Sequence, residues 1–82
     1  MLRIPIRVVL PFGYRISIRM VTDAEMAERD PNADGIWDSE TRTIYIRKRL
    51  PVRRRRYILG HELGHAWLDW QHRFLDDGKA RT

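Results

Sequence analysis

Thr43-Ile44-Tyr45-Ile46-Arg47, a proline at position 51, and then Val52-Arg53-Arg54-Arg55-Arg56-Tyr57-Ile58-Leu59-Gly60-His61-Glu62-Leu63-Gly64-His65-Ala66-Trp67-Leu68-Asp69-Trp70-Gln71 set the architecture of this chain. The first five residues alternate and are rich in β-branched and aromatic side chains, which pack well on a pleated surface and predict a main strand. Pro51 closes off that strand. From Val52 to Gln71 there is no proline. Wound at about 100° per residue, this stretch and the residues just beyond it gather Leu59, Leu63, Ala66, Trp67, Trp70 and Phe74 into one broad apolar stripe. A strand feeding a long amphipathic helix is therefore the centre of the fold.

Outward from that centre, Ile4, Ile6, Val8 and Leu10 alternate with Arg3, Pro5, Arg7 and Val9, the period of a half-buried strand, with Pro5 suggesting a sheet edge. Pro11-Phe12-Gly13 reads as a turn. Ile16, Ile18 and Met20 alternate with Arg15, Ser17 and Arg19, giving a second strand and a hairpin with the first. Thr22 and Glu25 have the spacing of a capping box that opens a short helix, and Pro31 ends it. Asn32 to Gly35 is a loop, and Gly35-Ile36-Trp37 is a short strand that turns through Asp38 to Arg42 into Thr43 to Arg47. The tail from Asp77 to Thr82 is polar and expected to fray. No repeat, low-complexity segment or second domain interrupts the pattern. The expectation is an α+β fold, a small antiparallel or mixed sheet packed on a long active-site helix, forming one minimal domain over residues 1–82.

At 82 residues, a hydrophobic core alone gives only a few kcal/mol of net stability. There is no cysteine, so disulfides are excluded and any metal site must be built from nitrogen and oxygen ligands. A bound zinc ion would staple such a chain. Met1 to Phe12 carries Arg3, Arg7 and two prolines without a small-residue cleavage site. No stretch approaches the roughly eighteen apolar residues that cross a bilayer. A soluble, cytoplasmic protein with no membrane partner is expected.

The net charge is +5 and the pI about 10.4, and seven of the ten residues from Arg47 to Arg56 are basic. That run admits nucleic acid as a partner. It has no interleaved aromatic platform for stacking bases and lies in no recognisable nucleic-acid-binding module, so this reading is not favoured. Arginines at the start of a helix also oppose its macrodipole.

Inside the long helix stands His61-Glu62-Leu63-Gly64-His65. Residues four apart share a helix face one turn above each other, so the two imidazoles can hold one metal ion with Glu62 beside it. That is the zinc-hydrolase arrangement. His61 and His65 fall roughly opposite the apolar stripe, which separates a metal face from a core face. The plainer reading, two surface histidines on an amphipathic helix, fits less well with the framing by Leu63 and Gly64. Glycine inside a helix costs on the order of 1 kcal/mol against alanine, and Gly64 hints at close approach by a strand or ligand.

From Gly35 to His72 the order strand, turn, strand, arginine-rich helix start and His61-Glu62-Leu63-Gly64-His65 resembles the small zincin metallopeptidases. It is similar in particular to the ImmA/IrrE-type family, to minimal gluzincins and to small proteins of that kind carried by bacteriophages. The resemblance implies a peptide or protein substrate added in extended form to an edge strand, a role that would fall to Thr43 to Arg47; ordinary sheet core is the competing reading of that strand. Gluzincin-like families also take a third ligand, usually glutamate, from a helix well downstream. Here no glutamate follows Glu62 and seventeen residues follow His65.

The third ligand therefore comes from Asp69, His72, Asp76, Asp77 or another chain. In an unbroken helix Asp69 and His72 lie about 6 and 10 Å beyond His65 along the axis, too far to reach the ion comfortably. Short-spacer zincins place a glycine three residues after the second histidine, but Leu68 stands there. If the helix ended near Trp70, the chain would fold back and present His72 or Asp76. His72 is narrowly favoured because imidazole suits zinc, with a structural role standing beside it, while Asp69 suits an outer carboxylate. In a complete site Glu62 takes the proton from a zinc-polarised water as it attacks a peptide carbonyl, and later protonates the leaving amine. Tyr45, Tyr57 or a nearby arginine would stabilise the oxyanion. The competing functions are a metal-binding module without catalysis and a basic nucleic-acid-associated protein.

Overall fold

A computed structural model describes residues 6–76. The hairpin comes first. β1 (Arg7–Leu10) runs through the turn Pro11–Gly13 into β2 (Tyr14–Val21), pairing antiparallel with Leu10 opposite Tyr14. Phe12 and Gly13 reverse the chain in left-handed conformations, φ 67° and 70°. Glycine adopts that conformation without steric cost, whereas Phe12 needs support from tertiary contacts. Its ring stacks on Trp70 and tilts against Phe74, and Trp70 donates its indole N–H to Pro11 O at 2.9 Å. The turn is thereby pinned to the far end of the long helix.

α1 (Asp23–Arg29) opens with both halves of the expected capping box, Thr22 Oγ1 accepting from the Glu25 N–H and Glu25 accepting from the Thr22 N–H. β3 (Gly35–Asp38) and β4 (Thr43–Arg47) form a second antiparallel pair across a turn whose Asp38 carboxylate accepts from the N–H groups of Glu40 and Thr41. β4 also lies parallel to β2, giving a mixed sheet in the order β1-β2-β4-β3. Of the two readings of Thr43 to Arg47, ordinary sheet core is the one found: the strand is internal and buried at all five positions, and β3 takes the edge beside it. β4's own pattern sets which side chains face which layer but not which strands flank it. Pro5 and the start of the first strand, with the tail from Asp77, lie outside the described residues.

α2 (Val52–Gln71) covers one face of the sheet. Tyr14, Ile16, Ile18, Ile44 and Ile46 meet Ile58, Leu59, Ala66 and Trp70 in the main core. Each such aliphatic side chain, fully buried, contributes roughly 1.5–3 kcal/mol. On the other face Met26 of α1 packs with Val21 and Tyr45. The fold is α+β with the sheet between a long and a short helix. The face that α2 buries is turned relative to the expected stripe: Ile58 and Glu62 are buried, while Trp67 remains 42% and Phe74 38% exposed. α2 lies over the sheet so that the flank bearing Glu62 meets β3, and Trp67 instead stacks on Trp70 at 4.7 Å. No helix among the described residues is long and apolar enough to cross a membrane.

Candidate functional site

His61 and His65 stand one turn apart on the flank of α2, exposed, with their Nε2 atoms 3.3 Å apart and their rings near perpendicular at 81°. Two nitrogens each about 2.0–2.1 Å from a tetrahedral zinc would be separated by about 3.3–3.4 Å. The imidazoles already span one edge of that tetrahedron. Between them Glu62 turns inward and is 8% exposed. Its place is fixed by β3: a Cβ on Gly35 would overlap Ile58 Cγ2 and lie 3.4 Å from Glu62 Cγ. Only glycine lets the strand come this close. Beside the pair opens a groove of about 580 Å³, walled on the helix side by Glu62, His65, Asp69 and His72 and on the sheet side by Trp37 and Ser39. Glu62 makes no hydrogen bond to another described residue, which leaves its carboxylate available to a group in the groove.

His72 lines the same groove, yet among the described residues no three His, Cys, Asp or Glu side chains are grouped as a metal would require. The helix does not end near Trp70, so the condition for a fold-back there is not met. The His72 N–H donates to the carbonyls of Leu68 and Asp69, and the backbone continues through a π-helical turn, His72–Asp76. With Leu68 in place of a glycine nothing breaks the winding, so His72 stays about two turns along the axis from His65. Asp69 accepts a hydrogen bond from the Tyr14 hydroxyl at 3.2 Å, which ties it to the start of β2. Burial raises the Tyr14 phenol above its ordinary range, and the Asp69 carboxylate adds to that shift. The side chain of Asp76 and all of Asp77 lie outside the described residues.

The two tyrosines considered for oxyanion stabilisation separate. Tyr45 is buried on the α1 side of the sheet beneath Arg29, whose guanidinium lies 3.9 Å from its ring centroid, so it does not face the groove. Tyr57 is exposed on α2, one turn before His61. No strand approaches Gly64: beyond the helix's own backbone and its chain neighbours, no described atom lies within 4 Å of where its Cβ would be, and the close approach of a strand to α2 occurs at Gly35. Gly35, Trp37 and Ser39 were not legible as site residues. A glycine opening a strand was the one available signal.

Much of the basic run is structural. Arg47 is buried and donates to Asp23 Oδ1 at 2.9 Å, Ala33 O at 2.8 Å and Pro31 O at 2.8 Å, with Asp34 at 3.6 Å. Arg49 pairs with Asp23 at 2.7 Å, and Arg54 with Asp34 at 3.4 Å. These bonds clamp the loop that delivers Gly35 against α2. They also hold the Asp23 carboxyl below its ordinary value, chiefly through the Arg47 hydrogen bond.

Comparison with curated proteins and with solved structures found no match. The pattern of the sequence does match a peptidase family, over residues 16–82, a span that takes in most of β2 and everything from α1 through the histidine pair and its groove. By that match the chain belongs to Peptidase_M78, the IrrE N-terminal-like domain family.

Proposed function

We propose that the chain is a zinc-dependent peptidase in which His61 and His65 hold the metal and Glu62 is the general base. The observation that carries this reading is the 3.3 Å separation of the two Nε2 atoms beside a groove that His65 and Glu62 line. His72 is the proposed third ligand, reaching the ion once the turn His72–Asp76 rearranges; π-helical turns are rare and concentrate at functional sites. When bound, zinc would supply a Lewis acid and lower the pKa of its water toward about 7. Glu62 accepts the proton of the attacking water and returns it to the leaving amine. The substrate is a peptide lying extended along β3, the open strand edge beside the groove. A cytoplasmic setting is part of the same proposal.

Nucleic-acid binding is weakened as an alternative because Arg47, Arg49 and Arg54 are engaged with Asp23 and Asp34. The deciding experiment is Glu62→Gln in the zinc-loaded chain. Loss of hydrolysis by about 10²–10⁴-fold with zinc content unchanged supports the mechanism. Equal cleavage by both proteins overturns it, and a wild type that binds zinc but cleaves no peptide favours a non-catalytic metal module.

A further inference from the structure

Among the described residues β3 is open on one edge and borders a cavity on each face. The Arg47 N–H donates to Asp34 O at 3.0 Å, so alternation along the antiparallel pair turns the N–H and C=O of Gly35 and Trp37 outward, away from β4. On the α2 face lies the groove with Glu62 and His65. On the α1 face lies a second cleft of about 520 Å³, bordered by Asp30, Asp38 and Glu40 with Arg29 and Ile36. Trp37 and Ser39 border both cavities. Side chains of a strand alternate between faces, so a peptide added to β3 must send every second side chain into the groove and the intervening ones into the second cleft.

The chemistry of the second cleft differs from that of the rest of the chain. Three carboxylates face one guanidinium, an excess of two negative charges on a protein whose net charge is +5. None of the three forms an ion pair with another described residue. Asp30 and Asp38 each use Oδ1 to accept from backbone N–H groups, which leaves Oδ2 of each open. The Arg29 guanidinium is drawn over the Tyr45 ring. Ile36 and Trp37 supply apolar surface along which a long methylene stem can lie while its charge reaches the carboxylates. Resting on the peptidase reading for the groove, we propose that the α1-side cleft is a specificity subsite for lysine or arginine. The substrate is accordingly a basic extended peptide, with its cations at the positions adjacent to the residue that enters the groove.

The test uses the full chain carrying Glu62→Gln, so that binding is read without cleavage, and follows tryptophan fluorescence. The ligands are matched extended octapeptides bearing Lys, Ala or Glu at alternate positions. The lysine peptide should bind at least tenfold more tightly than the glutamate peptide at low salt. That margin should shrink as ionic strength rises and reverse when Glu40→Lys and Asp30→Asn are added. Equal affinity for the three peptides, an unchanged preference in the charge-altered chain, no binding of any peptide, or a dimer paired through β3 that peptide does not disrupt would each overturn the proposal. Wild-type cleavage without a lysine preference would sink the subsite and spare the peptidase. Lysine-selective binding without wild-type cleavage would do the reverse.

Discussion

Arg47 carries more of the structure than any other charged side chain described. Its guanidinium is buried and joins α1, the loop at 31–34 and β4 through three hydrogen bonds. Truncation would remove a buried side chain and leave the Pro31 and Ala33 carbonyls without their donor, so Arg47→Ala should cost about 3 kcal/mol, whereas the exposed Arg49→Ala should cost less than about 0.5 kcal/mol. Chemical denaturation of the two variants measures the gap, and equal losses would contradict the role given to Arg47. The same clamp sets a pH dependence. Asp23 has a folded pKa depressed below its ordinary 3.8, mainly by the Arg47 hydrogen bond. Its contribution to stability is therefore complete above that value and is lost as pH falls through the lower, folded one. The melting-temperature advantage of wild type over Asp23→Asn should hold at neutral pH, begin to shrink as pH falls past about 3.8 and disappear below the lower, folded value. An advantage that grew on acidification would have the wrong sign.

Elements bring these residues together, and here the closest tolerance is between β3 and α2. A Cβ at Gly35 overlaps Ile58, so Gly35→Ala should push strand and helix apart, cost about 1–3 kcal/mol and disturb Glu62. Calorimetry would detect the first effect, and a fall in zinc-dependent cleavage the second. On the opposite face of the sheet, Thr22→Ala should cost about 1 kcal/mol through loss of the cap on α1. The elements themselves were legible because each carries a local signal: alternation at Ile16 to Met20 and Thr43 to Arg47, the Thr22/Glu25 spacing, and the proline-free run from Val52 to Gln71. Their neighbours were not. Thr43, Tyr45 and Arg47 look like the solvent face of a half-buried strand, but α1 and its following loop cover Tyr45 and Arg47, and β4 is interior because β2 and β3 pair with its two edges, which leaves an edge to β3. The placement of His72 was not legible for a related reason. Spacing gives its distance along a helix, whereas whether the helix stops depends on backbone bonds to Leu68 and Asp69 that no residue type announces.

Across the whole molecule, the basic character divides into two populations. Part of it is spent internally, in the chain of ion pairs from Asp23 through Arg47 and Asp34 to Arg54. The remainder lies outside that chain of pairs, and on the α1 side of β3 stands a cleft of opposite sign that charge counting alone could not locate. The candidate site divides in the same way: His61, Glu62 and His65 could be read from five residues, while the groove, its β3 wall and the acidic cleft depend on contacts between segments distant in sequence. A chain this short gains from any ligand bound only by its folded form. Zinc at a hundredfold excess over its dissociation constant should add about 2.7 kcal/mol and raise the melting temperature by roughly 10 °C or more, reversed by chelator. The most direct test of the central claim is the zinc content of the purified chain after supply of the metal and removal of excess, compared with His61→Ala and His65→Ala variants whose folding is verified by circular dichroism. About one ion per wild-type chain, with less than a tenth of that in either variant, is the predicted result. A wild type that takes up no zinc, or variants that retain it, would contradict the account.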